Sequence, residues 1–91
     1  MAPLRIALAQ VNPSVGDLEG NAARIVSVTE QAVAAGAQLV AFPEMALCGY
    51  PIEDLALRPS FQQASQAALH ELATTLAARG CGDTVVVVGY L

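Results

Sequence analysis

The chain has 91 residues, of which 55% are hydrophobic, 13% charged and 4% aromatic. That length admits one small domain at most, the apolar content excludes disorder, and no run approaches the ~18 uninterrupted apolar residues of a membrane-spanning helix. Asp+Glu 8 against Lys+Arg 4 leaves a net charge of −4, so the basic footprint of a nucleic-acid binder is missing.

Leu4 to Gln10 (LRIALAQ) is a short apolar run that predicts a buried parallel strand. The opening apolar stretch is too short for a secretory leader and has no small-residue cleavage pattern behind it, so a cytoplasmic location is expected. Val11 to Gly20 is turn-rich, with Asn12, Pro13, Gly16 and Asp17. Asp17 is placed to cap the helix that follows, its carboxylate accepting from free first-turn amides.

From Leu18 to Ala35 the spacing is helical. Ala22, Ile25, Val28, Thr29, Ala32 and Val33 share one face, and Arg24, Ser27, Glu30 and Gln31 the other. Gly36 stands where a left-handed residue ends such a helix. Gln38 to Phe42 (QLVAF) predicts a second buried strand, closed by Pro43. The connection from Pro43 to Ser60 holds Gly49, Pro51 and Pro59, and loops of that size without regular structure usually carry function. A second helix is predicted over Phe61 to Ala78, with Phe61, Ala68, Leu69, Leu72 and Leu76 on one face and Gln63, Gln66, His70 and Thr74 opposite. Gly80 to Asp83 turns out of it, and Thr84 to Val88 (TVVVV) predicts a third, fully buried strand.

Strand–helix–strand–helix–strand with short apolar strands implies an α/β fold on a mainly parallel sheet with right-handed crossovers. Such a sheet needs cover on both faces and at its edges, more than two helices supply. Residues 1–91 are therefore expected to be the front portion of a larger domain.

Among residues that carry chemistry, Glu44 stands out. It follows the carboxyl end of the second strand as Phe42-Pro43-Glu44, and open parallel sheets bind ligands outside those ends. Flanked by Phe42 and Met45, its carboxylate could be partly desolvated and moved toward general-base range; position alone favours the plainer reading, a solvent-exposed loop glutamate. Tyr50 offers an apolar ring with a hydroxyl tip, which suits either a pocket wall or plain loop packing. Cys48 and Cys81 are too few for a disulfide framework and lack metal-ligand spacing, and a single histidine, His70, makes no zinc site. Arg58 with Glu53 and Asp54 fits either a subunit contact or an exposed ion pair.

Ala9-Gln10, Asn12-Pro13, Val15-Gly16-Asp17 and Gly20-Asn21, with Phe42-Pro43-Glu44 after them, resemble the opening of the nitrilase (carbon–nitrogen hydrolase) superfamily. Gly49-Tyr50-Pro51 followed by Glu53-Asp54-Leu55 narrows the resemblance to the glutaminase domain of bacterial glutamine-dependent NAD synthetases. The likeness runs essentially the whole chain, through the closing Val-Val-Gly-Tyr. It implies that this βαβαβ run opens an α-β-β-α sandwich, as the N-terminal portion of an incomplete glutaminase domain. It further implies that Glu44 is the general base of a Glu–Lys–Cys triad, and that Tyr50 lines the pocket for glutamine. Ammonia released there would pass to a synthetase domain that uses ATP and Mg²⁺ to amidate nicotinic acid adenine dinucleotide, in a homo-oligomer.

The chain departs from that pattern. It contains no lysine, and neither cysteine stands where the family nucleophile does. The triad's other members and the phosphate-binding loop are expected beyond residue 91, so the 91 residues alone are expected to be inactive, with no cofactor or metal site of their own. Two alternatives remain at this point: another amidase, carbamoylase or nitrilase of the superfamily, or a small α/β binding module. Against a nucleotide-binding module, Gln10 to Gly20 has no Gly-x-Gly-x-x-Gly.

Overall fold

The computed structural model describes residues 3–91. Three short strands, β1 (Ile6–Leu8), β2 (Leu39–Ala41) and β3 (Val85–Val87), alternate with two helices, α1 (Leu18–Ala34) and α2 (Pro59–Ala78). The strands form one parallel sheet in the order β1-β2-β3. The predicted α/β run is thus present, with each strand trimmed by a residue or two at its ends.

The helices begin and end where local chemistry dictates. Asp17 accepts a hydrogen bond from the Gly20 amide at 3.0 Å, capping α1 as expected. At its other end Gly36 takes φ +91°. The Gly36 amide donates to the Val33 carbonyl and the Ala37 amide to the Ala32 carbonyl, a Schellman closure. α2 closes the same way: the Gly80 and Cys81 amides donate to the carbonyls of Ala77 and Leu76. α2 starts at Pro59, two residues earlier than the periodicity predicts, because proline at a first helical position gives up an amide that has no partner there anyway. The connection after β2 is not wholly irregular either, since Glu53–Leu57 forms a 3₁₀ helix.

Register decides which side chains meet. Ala7, Val40 and Val86 lie across from one another and point to the side where the two helices pack. There they join Ile25 and Val26 of α1, Leu72 and Leu76 of α2, and Cys81 in one core. Both helices cover this one face, as two crossovers of the same hand along a sheet advancing in one direction require. The alternate rows, Ile6–Leu39–Val85 and Leu8–Ala41–Val87, face away. The predicted full burial of the outer strands is corrected accordingly: Ile6, Leu8, Val85 and Val87 are 50, 72, 58 and 51% exposed. Beyond β3, the Leu91 amide donates to the buried Ser65 hydroxyl at 3.1 Å, pinning the segment after the strand onto α2. No helix among the described residues is long and apolar enough to cross a membrane.

Candidate active site

Glu44 opens a tight turn, Glu44–Cys48, at the carboxyl edge of the sheet. Met45 takes a left-handed backbone, φ 54°, a conformation that costs a non-glycine residue about 1–2 kcal/mol and persists only where the surroundings impose it. Those surroundings come from the carboxyl ends of all three strands. The Gly49 amide donates to the Met45 carbonyl at 2.7 Å, closing the turn on itself. The Leu47 amide donates to the Gly89 carbonyl after β3 (3.2 Å), and the Gly16 amide, from the loop after β1, donates to the Cys48 carbonyl (2.9 Å).

Asn21 completes the bracing from the first turn of α1. It is buried, and its carboxamide makes three hydrogen bonds. Nδ2 donates to the Leu47 carbonyl (2.9 Å) and the Ser14 carbonyl (2.8 Å), while Oδ1 accepts from the Ser14 amide (2.9 Å). Two glycines let the backbones come this close. A Cβ on Gly49 would sit 2.5 Å from Val15 Cα, and one on Gly89 would sit 2.5 Å from the Met45 nitrogen. Ala46, Leu47 and Cys48 are fully buried beneath the turn.

The Glu44 side chain itself is exposed. Of the two readings of its surroundings, the solvent-exposed one holds over the desolvated one, because Phe42 turns into the core and Met45 is only half-buried in the left-handed step. Tyr50 is 64% exposed, one residue past the close approach at Gly49. Glu44 and Tyr50 therefore flank one braced turn, both of them exposed. Surface grooves lie elsewhere, one between α2 and β3 past Leu72, Leu76 and Val88, another between α1 and α2 past Ala22 and Ala68.

The other candidate residues take bland positions. Cys48 is buried, and burial pushes its thiol up, with its own backbone amide opposing this only in part. Cys81 is a free thiol in the core, and His70 is exposed opposite the apolar stripe of α2. Arg58 and Asp54 form an exposed i,i+4 pair at 3.7 Å, the kind worth under ~1 kcal/mol. No group of three or more His, Cys, Asp or Glu side chains converges among the described residues.

Asn21 carried a signal that periodicity alone passed over. It sits four residues before buried Ile25, on the apolar face of α1, where a polar side chain persists only if it is fully hydrogen-bonded.

Residues 5–91 match the carbon-nitrogen hydrolase family. The chain is 52% identical over 68 residues to the glutamine-dependent NAD(+) synthetase of Synechocystis sp., covering 75% of this chain and 12% of that protein. It is 37% identical over 91 residues to the one of Acinetobacter baylyi, covering 100% of this chain and 16% of that one. Among solved structures, the glutamine-dependent NAD(+) synthetase of Cytophaga hutchinsonii superposes with a TM-score of 0.80 at 30% identity, over 91% of this chain and 13% of that one. An amidase from Nesterenkonia sp. superposes with a TM-score of 0.74 at 30% identity, over 85% of this chain and 29% of that one. The chain thus spans less than a fifth of the curated relatives' length. With parallel βαβαβ topology and a glutamate on a braced turn at the sheet's carboxyl edge, it belongs to the carbon–nitrogen hydrolase family.

Proposed function

We propose that these residues form the opening part of the glutaminase domain of a glutamine-dependent NAD synthetase, with Glu44 as general base. The observation that carries this reading is the Glu44 turn, fixed by hydrogen bonds from the carboxyl ends of β1 and β3 and from α1. A general base needs a carboxylate held in register with the proton it takes, and a turn braced at three points supplies that. Identity to NAD synthetases over the whole chain supports the substrate.

In this reading the Glu44 carboxylate takes the proton of a cysteine thiol supplied by a later part of the domain, since a thiol attacks as its thiolate. The thiolate sulfur bonds to the γ-amide carbon of glutamine. A lysine, also from beyond these residues, steadies the oxyanion that forms. The tetrahedral species collapses by breaking the carbon–nitrogen bond, and the departing nitrogen takes the proton back from Glu44 as ammonia leaves. Water, again deprotonated by Glu44, then attacks the thioester carbon; the carbon–sulfur bond breaks to give glutamate, and the departing cysteine sulfur takes the proton back from Glu44. Tyr50 forms part of the glutamine pocket once further residues stand across from it. The ammonia would serve a ligase half outside these residues, where bound ATP and Mg²⁺ would supply activation of the carboxylate of nicotinic acid adenine dinucleotide. The reading carries a cytoplasmic location and a homo-oligomeric parent.

The second reading is an amide hydrolase without a ligase half, favoured by the superposition on the Nesterenkonia amidase. One experiment separates the two. In the complete enzyme, Glu44→Gln is expected to lower glutamine-driven NAD formation by about 10²–10⁴-fold and to leave ammonia-driven formation within about twofold. Loss of both together removes Glu44 from the role of base. Amide hydrolysis with no NAD formation from either nitrogen source favours the stand-alone hydrolase.

A further inference from the structure

We infer that Asn21 is a positioning residue for Glu44, holding the Glu44–Cys48 turn in its strained geometry through the Leu47 carbonyl. The inference rests on the reading of Glu44 as base. Asn21 does not touch Glu44; it acts on the turn that carries it.

The carboxamide is matched to its place atom by atom. Its two N–H groups face two carbonyls, of Leu47 and Ser14, and its oxygen faces the Ser14 amide. Leu47 is consequently gripped from both sides, its carbonyl by Asn21 and its amide by the Gly89 carbonyl. The left-handed step at Met45 lies between this grip and Glu44. A residue in that conformation relaxes toward ordinary backbone unless its neighbours over-determine it. Relaxation would swing the Glu44 side chain, because the turn is short and its far end stays anchored through the Cys48 carbonyl to Gly16. Asn21 also bonds Ser14, the neighbour of Val15, against which Gly49 packs. One side chain thus fixes the loop after β1 and the turn after β2 relative to each other.

Asn21→Asp is nearly isosteric and tests the geometry. Its carboxylate still accepts from the Ser14 amide but has no N–H for either carbonyl, and sets negative charge against both. In the complete enzyme Asn21→Asp is expected to lower kcat for glutamine-driven NAD formation by about 10–100-fold, the range a misplacement of about 1 Å produces. KM for glutamine should change by under about threefold, and ammonia-driven formation should be retained. Asn21→Ser, which keeps one donor and one acceptor in a smaller side chain, should fall between wild type and Asn21→Asp.

The outcomes separate cleanly when Glu44→Gln is measured alongside. If Glu44→Gln keeps glutamine-driven turnover, the base assignment fails and the role of Asn21 falls with it. If Glu44→Gln loses that turnover while Asn21→Asp matches wild type, the inference about Asn21 alone is overturned. If Asn21→Asp and Asn21→Ser lose both reactions in proportion, or neither yields soluble enzyme, Asn21 builds the fold rather than positioning the base, which also overturns it. A rise in KM with kcat kept does the same.

Discussion

Cys48 shows why nearness in sequence is a poor guide to a nucleophile. It lies four residues past Glu44, yet its side chain is buried beneath the turn and its sulfur is 3.9 Å from the Met45 carbonyl of that same turn. Burial disfavours the thiolate and raises the thiol's pKa. Because the folded pKa lies above the unfolded one, the buried neutral thiol costs nothing at neutral pH, and stability falls as pH rises past the unfolded value toward the folded one. Cys48 is accordingly expected to resist iodoacetamide in the folded enzyme at neutral pH and to be labelled once the chain is unfolded. Rapid labelling of Cys48 in the folded enzyme, read by peptide mass mapping, would contradict its burial. The sequence order places Cys48 near Glu44; packing buries it.

At the level of elements, the brace around the Glu44 turn depends on backbones touching. Gly49 and Gly80 both take positive φ, +89° and +83°, so alanine at either is strained to a similar degree. Their surroundings differ. A Cβ at Gly49 would meet Val15 Cα at 2.5 Å and the Ser14 carbonyl oxygen at 2.7 Å, whereas one at Gly80 meets nothing within 4 Å. Gly49→Ala should therefore cost about 1–3 kcal/mol more unfolding free energy than Gly80→Ala in urea titrations, the usual scale of overpacking. Equal costs would mean that the loops after β1 and β2 are not pressed together as described.

Strand and helix placement was legible in the sequence because each element has its own period and its own punctuation: Asp17 before α1, Gly36 after it, the β-branched run at Val85. Less legible was whatever depends on contacts across the chain. Pro59 reads as a loop residue until its place at the head of α2 is seen, and the 3₁₀ helix at Glu53–Leu57 is too short to show a period. Which of the two readings of Glu44's exposure holds is settled in the same way, since the direction of Phe42 and the φ of Met45 are set by the turn and not by adjacency. Glu44 and Tyr50 were found as residue types at a strand end; the role inferred for Asn21 needed the three hydrogen bonds that only the fold reveals.

For the whole molecule, the decisive feature is a parallel sheet with apolar side chains on both faces and helices on one. Ile6, Leu8, Val85 and Val87 make the uncovered face unsuited to water, and an unpaired strand edge adds to the tendency to associate. Residues 1–91 on their own are expected to self-associate in sedimentation velocity, and the pair Leu8→Thr with Val87→Thr should shift them toward monomer with helix content kept. A monodisperse wild-type monomer would contradict the open face. The proposed role of Glu44 as the base of a glutaminase is tested by glutamate release from glutamine in the complete enzyme. Steady release is expected with Glu44 in place and a fall of about 10²–10⁴-fold with Glu44→Gln; release at an unchanged rate in the variant would remove Glu44 from the role of base.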